Sequence, residues 1–428
     1  AGVTNTNGAL VSGIEIFNLR GSAAADTFAF DAAAVSGVTE INGFQSLGAL
    51  TVTNVPTGAS IGIMGNGSVT NAATTATYAA GVTDRMLKIS GGTIGAGVVA
   101  INGPVESVSV PDPTSLTINS TGAANTVGTI SANGTVTTTT INAATALATG
   151  GLIVGTNAAA QALTVSGAAT NIAATATAAY TPAVVLGALD ADFASIDASG
   201  LTAGGVSATL STTITATFTG GAGDDMVTTS TDSLQTGVVN AGGGNDTLIL
   251  AAAAHIDTTA EGAIYSGFEV LSSAAAAIDM DLITGSTITG IKLGAAGSNV
   301  TDMNATQAGN VAVIGALGAT TLSVKDATMA GTSDTLALTI SDEDTTTSEA
   351  LVAGGDLTLA GVETVTIDAV DDATFTTMAN ITGMNSLTVT GGGDVSFTTG
   401  AHTLASNATF DFSTLTGTST FNAAAATT

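Results

Sequence analysis

Residues 361–377 read GVETVTIDAVDDATFTT, and residues 384–399 read MNSLTVTGGGDVSFTT. Val365 and Leu387 are 22 positions apart, as are Ile367 and Val389, Asp372 and Asp394, and Phe375 and Phe397. Within each copy apolar residues alternate with Thr or Ser, the period of a half-buried strand. Two short strands and two turns in that length make one coil of a parallel β-solenoid. The spacing therefore predicts that Phe375 stacks on Phe397 inside the coil. A looser third copy follows, with Phe410 and Phe412 one place out of register.

The same alternation recurs along the chain. ALTVTNV at Ala49, ESVSV at Glu106, TVTTTTI at Thr135, ALTVSG at Ala162, TITATF at Thr213 and LALTI at Leu336 all read as strands, punctuated by Gly, Asn and Asp. Helix signals are scarce: Thr345 to Ala353 fits one or two turns. The Ala-rich tracts near Ala158 and Ala251 are ambiguous, since Ala favours helix beside β-branched neighbours. The expected fold is all-β, a parallel β-solenoid or β-roll with an elongated, multi-segment architecture. Pro104, Pro111 and Pro113 remove ladder donors and mark a break near residue 111, with a weaker one at Pro182. The expected segments are 1–111, 112–205, 206–260, 261–345 and 346–428.

Composition limits the function classes. The chain carries 33 acids against five Lys and Arg, a net charge of −28. Nucleic acid is excluded as a partner, because phosphate binding needs clustered bases. Docking to an anionic membrane is disfavoured for the same reason. No apolar run approaches the ~18 residues of a membrane span, so transmembrane insertion is not expected. Cysteine is absent, which removes disulfides, thiolate metal sites and Cys nucleophiles. The opening segment, AGVTNTNGAL, shows no basic segment followed by an apolar one, so no signal peptide is read there.

Such an acid excess repels itself unless cations neutralise it. Gly220 to Thr228 reads GGAGDDMVT, which fits G-G-x-G-x-D-x-U-x with U large and apolar. A second copy, AGGGNDTLI, begins at Ala241 and departs only at its first glycine. The glycines bring backbone carbonyls together in a tight turn, Asp225 or Asp246 adds a hard anionic oxygen, and Val227 or Leu248 points inward. One turn supplies about three oxygens where calcium takes about six to eight, so two turns stacked one coil apart complete a shell. The start of one copy at Gly220 and of the next at Ala241 is one coil's spacing, with the opposite turn lengthened through Thr229 to Thr236.

These residues resemble the repeats-in-toxin calcium-binding β-roll, over the stretch from Gly220 to Leu250. The resemblance implies Ca2+ held by the carbonyls of Gly221 and Gly223 with Asp225 from one turn, and by the carbonyls of Ala241 and Gly243 with Asp246 from the next. Glycine hairpins without metal are the competing reading. Weaker relatives of the motif occur at Asp26 (GSAAADTF), Asp334 (MAGTSDTLAL) and Asp394 (GGGDVSF), each open between a calcium turn and an Asx-capped turn. A second phrase, Gly-apolar-Glu, appears at Gly13, Gly103 (with Pro104 intervening), Gly267 and Gly361. Its glycine ends a turn, and its glutamate is either edge protection or a cation ligand.

Nothing argues catalysis. His255 and His402 lack the H-E-x-x-H context of zinc proteases and read as surface or turn residues. The single G-x-S-x-G, Gly58 to Gly62, has no strand-to-helix elbow and no partner His, and is an expected coincidence in a chain with 54 glycines. The acids Asp342, Glu343 and Asp344 read as a solvated loop, with a cation site as the minority reading.

Over most of its length the composition is similar to that of Gram-negative surface-layer proteins carrying such repeats. That resemblance implies an extracellular life at the bacterial cell surface, with identical subunits as partners in a calcium-dependent lattice and cell-surface polysaccharide as a candidate partner. It implies one-step export read from a C-terminal signal; none is read after Asn422, as expected for part of a longer polypeptide. In calcium-poor cytoplasm the acidic turns would keep the chain unfolded, and calcium outside would order it by linkage. A calcium-stabilised adhesin or biofilm-matrix fibre, and a passive domain of a secreted hydrolase, are the competing classes.

Overall fold

The structure is a computed structural model. It describes residues 12–95, 97–103, 114–133, 136–154, 160–212, 216–230, 237–273, 276–294, 297–329, 333–346, 350–379, 384–398 and 408–421. The break expected near residue 111, the phrase at Gly103 beyond its first residue, most of the lengthened turn after Thr229, the tract at Ala158 and His402 lie outside the described residues.

The chain divides into two units: Ala1–Ile172, Pro182–Met226 and Ala241–Gly244 form the first, and Ala173–Thr181, Val227–Asn240 and Asn245–Thr428 the second. Each is a parallel β-solenoid. In the first, one sheet runs neighbour to neighbour through Ile16–Leu19, Glu40–Phe44, Ser60–Met64, Asp84–Ser90, Ser115–Thr121, Thr138–Ala143, Gln161–Gly167, Phe193–Leu201 and Thr217–Thr219. Strands of the second sheet alternate with these in the sequence, from Thr27–Asp31 to Val206–Thr209. Each coil thus gives one strand to each sheet, except that one coil gives the second sheet two short strands, Val184–Val185 and Ala188–Leu189, both paired with Leu147–Val154.

The core follows from period two. Ile41, Ile61, Leu87, Ile118, Ile141 and Val165 occupy one register position in six successive strands, and all are fully buried. Burying such a side chain is worth about 1.5–3 kcal/mol, so a column of them outweighs the thin, Ala-rich remainder. Alternate residues face outward in a second column, Asn18, Asn42, Gly62, Lys88, Asn119, Asn142 and Ser166. Asn42 donates to Asn18 Oδ1 at 2.9 Å and Asn142 to Asn119 Oδ1 at 2.8 Å, so amides tie adjacent coils where the face is polar.

In the second unit one sheet runs from Thr247–Leu250 through Val270–Ser273, Gly290–Leu293, Val311–Val313, Thr335–Ile340, Thr364–Ala369 and Ser386–Gly391 to Thr409–Leu415. The other runs from Ile278–Asp279 to Ser419–Phe421. Val365 pairs with Leu387, Ile367 with Val389 and Phe375 with Phe397, as their even spacing predicts. The two phenylalanine rings stack with centroids 5.4 Å apart and planes at 17°. Phe410 does align with Leu387, but a register shift follows between Thr388 and Thr390, and Phe421 continues the aromatic stack on Phe397 at 5.5 Å.

One expectation needs correction. Within Thr345 to Ala353, read as helical, the described residues from Ala350 onward belong to the strand Ala350–Ala360. This strand pairs with Thr320–Val324 and with Asp372–Ala379. Ala350 and Val352 pair with Asp372 and Ala373, so ladder hydrogen bonds to the next coil take the place of helical ones. The tract at Ala251 gives only a 3-10 turn, Ala253–His255. Among the described residues no helix is long and apolar enough to cross a membrane.

Candidate functional site

The strand Thr217–Thr219 runs into the Gly220 to Asp225 turn, which lies against Ala241 to Gly244 of the same unit. The contact is so close that a Cβ on Gly220 would sit 1.8 Å from Ala241 O and 2.3 Å from Asp225 Oδ2. A Cβ on Gly242 would sit 2.4 Å from Gly221 O, and Gly242 also holds φ +92°. Gly243 N donates to Gly221 O at 3.0 Å. The two turns are therefore stacked in register on successive coils. The first turn needs glycine for close approach alone; left-handed backbone enters only in the second.

Asp225 is fully buried in this stack. Its Oδ2 accepts Gly221 N–H at 2.9 Å within the turn, and its Oδ1 accepts Val206 N–H at 2.5 Å from the preceding coil. Burial pushes its pKa up to about 6, against the lowering effect of those two hydrogen bonds, and the neighbouring Asp224 charge adds to the rise. Carboxylate and carbonyl oxygens can each accept more than one partner, so the bonds to Asp225 and Gly221 do not exhaust them.

Five of the six expected ligands, Gly221, Gly223, Asp225, Ala241 and Gly243, thus come together in the first unit. The donor set is oxygen only, which suits a hard divalent cation. That donor chemistry is the kind calcium takes. Asp246, the sixth, belongs to the second unit and is fully buried there. Its N–H donates to Glu269 Oε2 at 2.9 Å, and its carbonyl accepts from Glu269 N and Val270 N.

That arrangement recurs further along the chain. Asp334 N–H donates to Glu363 Oε2 at 2.7 Å, and Asp334 O accepts from Glu363 N and Thr364 N. Glu269 and Glu363 are the glutamates of the Gly-apolar-Glu phrase. Gly13, Gly267 and Gly361 all have positive φ, so the glycine does end a turn. The glutamate then reaches back to clasp the previous coil's aspartate backbone, a role that neither sequence reading included. The recurring D-T-L that begins at each clasped aspartate was the available signal.

Two of the three weaker motif relatives, Asp26 and Asp394, cap backbone. Asp26 accepts from Ala23 N, which holds its pKa below the ordinary range. Asp394 Oδ1 accepts from Thr418 N at 2.6 Å, with the same effect, while Asp394 N donates to Asp372 Oδ1. Asp342, Glu343 and Asp344 form a hydrogen-bonded turn in which Lys292 pairs with Glu343 at 2.7 Å. Ser60 is buried at the start of a strand, its Oγ donating to Thr39 O, and is no nucleophile elbow. His255 meets Thr229 Oγ1 at 2.7 Å on its 3-10 turn.

No family model matches the chain, and no curated protein matches it.

Proposed function

We propose that this chain is a structural, non-catalytic protein of the bacterial cell surface that assembles with copies of itself into a calcium-dependent layer. The observation that carries the reading is the stacked pair of glycine turns around buried Asp225. Calcium there would be held by Asp225 with the carbonyls of Gly221, Gly223, Ala241 and Gly243. It would supply positive charge to a chain that has five bases for 33 acids. The parallel solenoid is compatible with a calcium β-roll, and its polar outer columns suit a scaffold.

A fibre is the second reading. Among the described residues, Ile16–Leu19 and Ser419–Phe421 each have one strand neighbour, and an unpaired edge is a template for end-to-end pairing. Electron microscopy of the full chain with calcium and with chelator tests both. Two-dimensional arrays that dissolve in chelator support the layer, filaments support the fibre, and monomers under both conditions overturn self-assembly.

A further inference from the structure

Three residues of the first unit form a cluster that the calcium reading does not use. Lys88 Nζ is ion-paired with Glu40 Oε2. The other oxygen of that carboxylate, Oε1, accepts Asn42 Nδ2–H at 2.8 Å. One carboxylate therefore bridges a primary amine and a side-chain amide.

The solenoid register explains how residues so far apart in sequence meet. Asn42, Gly62 and Lys88 occupy one outward column on three successive coils. Gly62 has no side chain to block the column, and a Cβ there would lie 1.7 Å from Asn42 Oδ1. Lys88 thus reaches past an empty position to a strand two coils away, although Asn119 stands next to it in the same column. Asn42 is buried, and its Oδ1 has no hydrogen-bond partner. Its amide is fixed on one side by Gly62 and on the other by Glu40 and Asn18. Burial works against the Glu40 charge, but the hydrogen bonds from Lys88 and Asn42 outweigh it and leave the pKa below the ordinary value. Among the described residues, the ion pairs of Lys292 with Glu343 and Lys325 with Asp281 show no such amide bridge.

The geometry points to an intramolecular isopeptide bond between Lys88 Nζ and Asn42 Cγ, formed after folding with Glu40 as the proton carrier. Glu40 takes a proton from the ammonium, and the neutral amine attacks Cγ. The Nζ–Cγ bond forms and the Cγ–Nδ2 bond breaks, with Glu40 delivering a proton to the departing nitrogen. Of the three Nζ protons one remains on the new amide, and two leave with Nδ2 as ammonium. Charge and atoms balance without oxidant, reductant or co-reactant. The role of the fold is proximity, since it holds the amine and the amide on opposite oxygens of one carboxylate. In a chain without cysteine, this bond would be a covalent tie between coils.

The proposal is independent of calcium and is tested on the full wild-type chain by intact mass and a tryptic map after denaturation. The expected mass is about 17 Da below that of the sequence, the loss of one ammonia. Trypsin should fail at Lys88, leaving a branched product in which the peptide Gly21–Arg85 is joined to Met86–Lys292. Lys88→Arg, which keeps the charge, and Glu40→Gln, which keeps a hydrogen-bonding side chain, should both return the unmodified mass of their own sequences. Wild-type protein at its full sequence mass, with cleavage at Lys88, overturns the proposal. So does a loss of about 17 Da with Lys88 still cleaved, because Asn42 precedes Gly43 and a backbone succinimide loses the same ammonia.

Discussion

Phe375 lies directly on Phe397, one coil apart, with ring centroids at 5.4 Å and planes 17° from parallel. Both rings are fully buried, and Phe421 extends the stack beyond them. Phe397 therefore touches aromatic neighbours above and below. Phe397→Ala should cost about 3–5 kcal/mol, as for other buried phenylalanines. Phe410→Ala, at a partly exposed ring, should cost about 1 kcal/mol or less. Denaturant unfolding of the two variants checks the ranking, and equal costs would remove the ladder from the core.

The glycine turns make a sharper contrast. Gly220→Ala places a methyl carbon 1.8 Å from Ala241 O, a clash between two backbones that no side-chain rotation relieves. Gly243→Ala meets nothing within 4 Å and needs no left-handed backbone. The first substitution should destabilise by at least the ~1–3 kcal/mol of overpacking, and the second should be near neutral. Thermal melts of both variants test whether the turns are stacked.

Glu269 and Glu363 should act through hydrogen bonding alone. Glu363→Ala leaves the N–H of Asp334 without its acceptor, at a cost of about 1–3 kcal/mol. Glu363→Gln retains an acceptor oxygen and should recover most of that loss. Melting temperatures in chelator report this directly. If Gln is as damaging as Ala there, the glutamate's charge matters more than its reach.

How far the sequence led depends on whether coil length stays constant. The pairing of Thr364 with Ser386 keeps the same spacing as that of Phe375 with Phe397, and so both were legible from the repeat alone. The step from Val270 to Gly290 is shorter and the step from Thr335 to Thr364 is longer, because turns swell or shrink while strands stay in register. Those turns hide the pairing. The Glu40, Asn42 and Lys88 cluster is illegible for that reason: the step from Asn42 to Gly62 and the longer one from Gly62 to Lys88 must both be known at once. The short helices Thr259–Gly262 and Ala305–Ala308 did carry a local signal, the capping boxes Thr258 to Glu261 and Asn304 to Gln307, which a search for long amphipathic runs passes over. The candidate calcium turn was legible because glycine spacing is local. The clasping of aspartate backbones by glutamates one coil later left only the recurring D-T-L as a trace, since an acid in an acidic chain carries no label for its partner.

Asp225 sets a pH dependence. Its pKa is about 6 in the folded state against an ordinary 3.8. Between those values the native state binds more protons than the unfolded chain, so stability falls as pH rises from about 4 to about 6 and then levels off. The full effect is about 3 kcal/mol. In chelator, wild-type protein should lose stability across that window, and Asp225→Asn should lose less. Parallel profiles for the two would place the proton elsewhere.

The most direct measurement is calorimetry of the full chain in chelator and at rising calcium, beside Asp225→Asn. If calcium binds the folded turn stack, wild-type stability rises with the logarithm of its concentration, by about 2.7 kcal/mol at a hundredfold excess over the dissociation constant. Asp225→Asn should show a much smaller rise. A wild-type melt unchanged between chelator and saturating calcium would contradict the account, because the turns would then stack without the cation proposed to hold them.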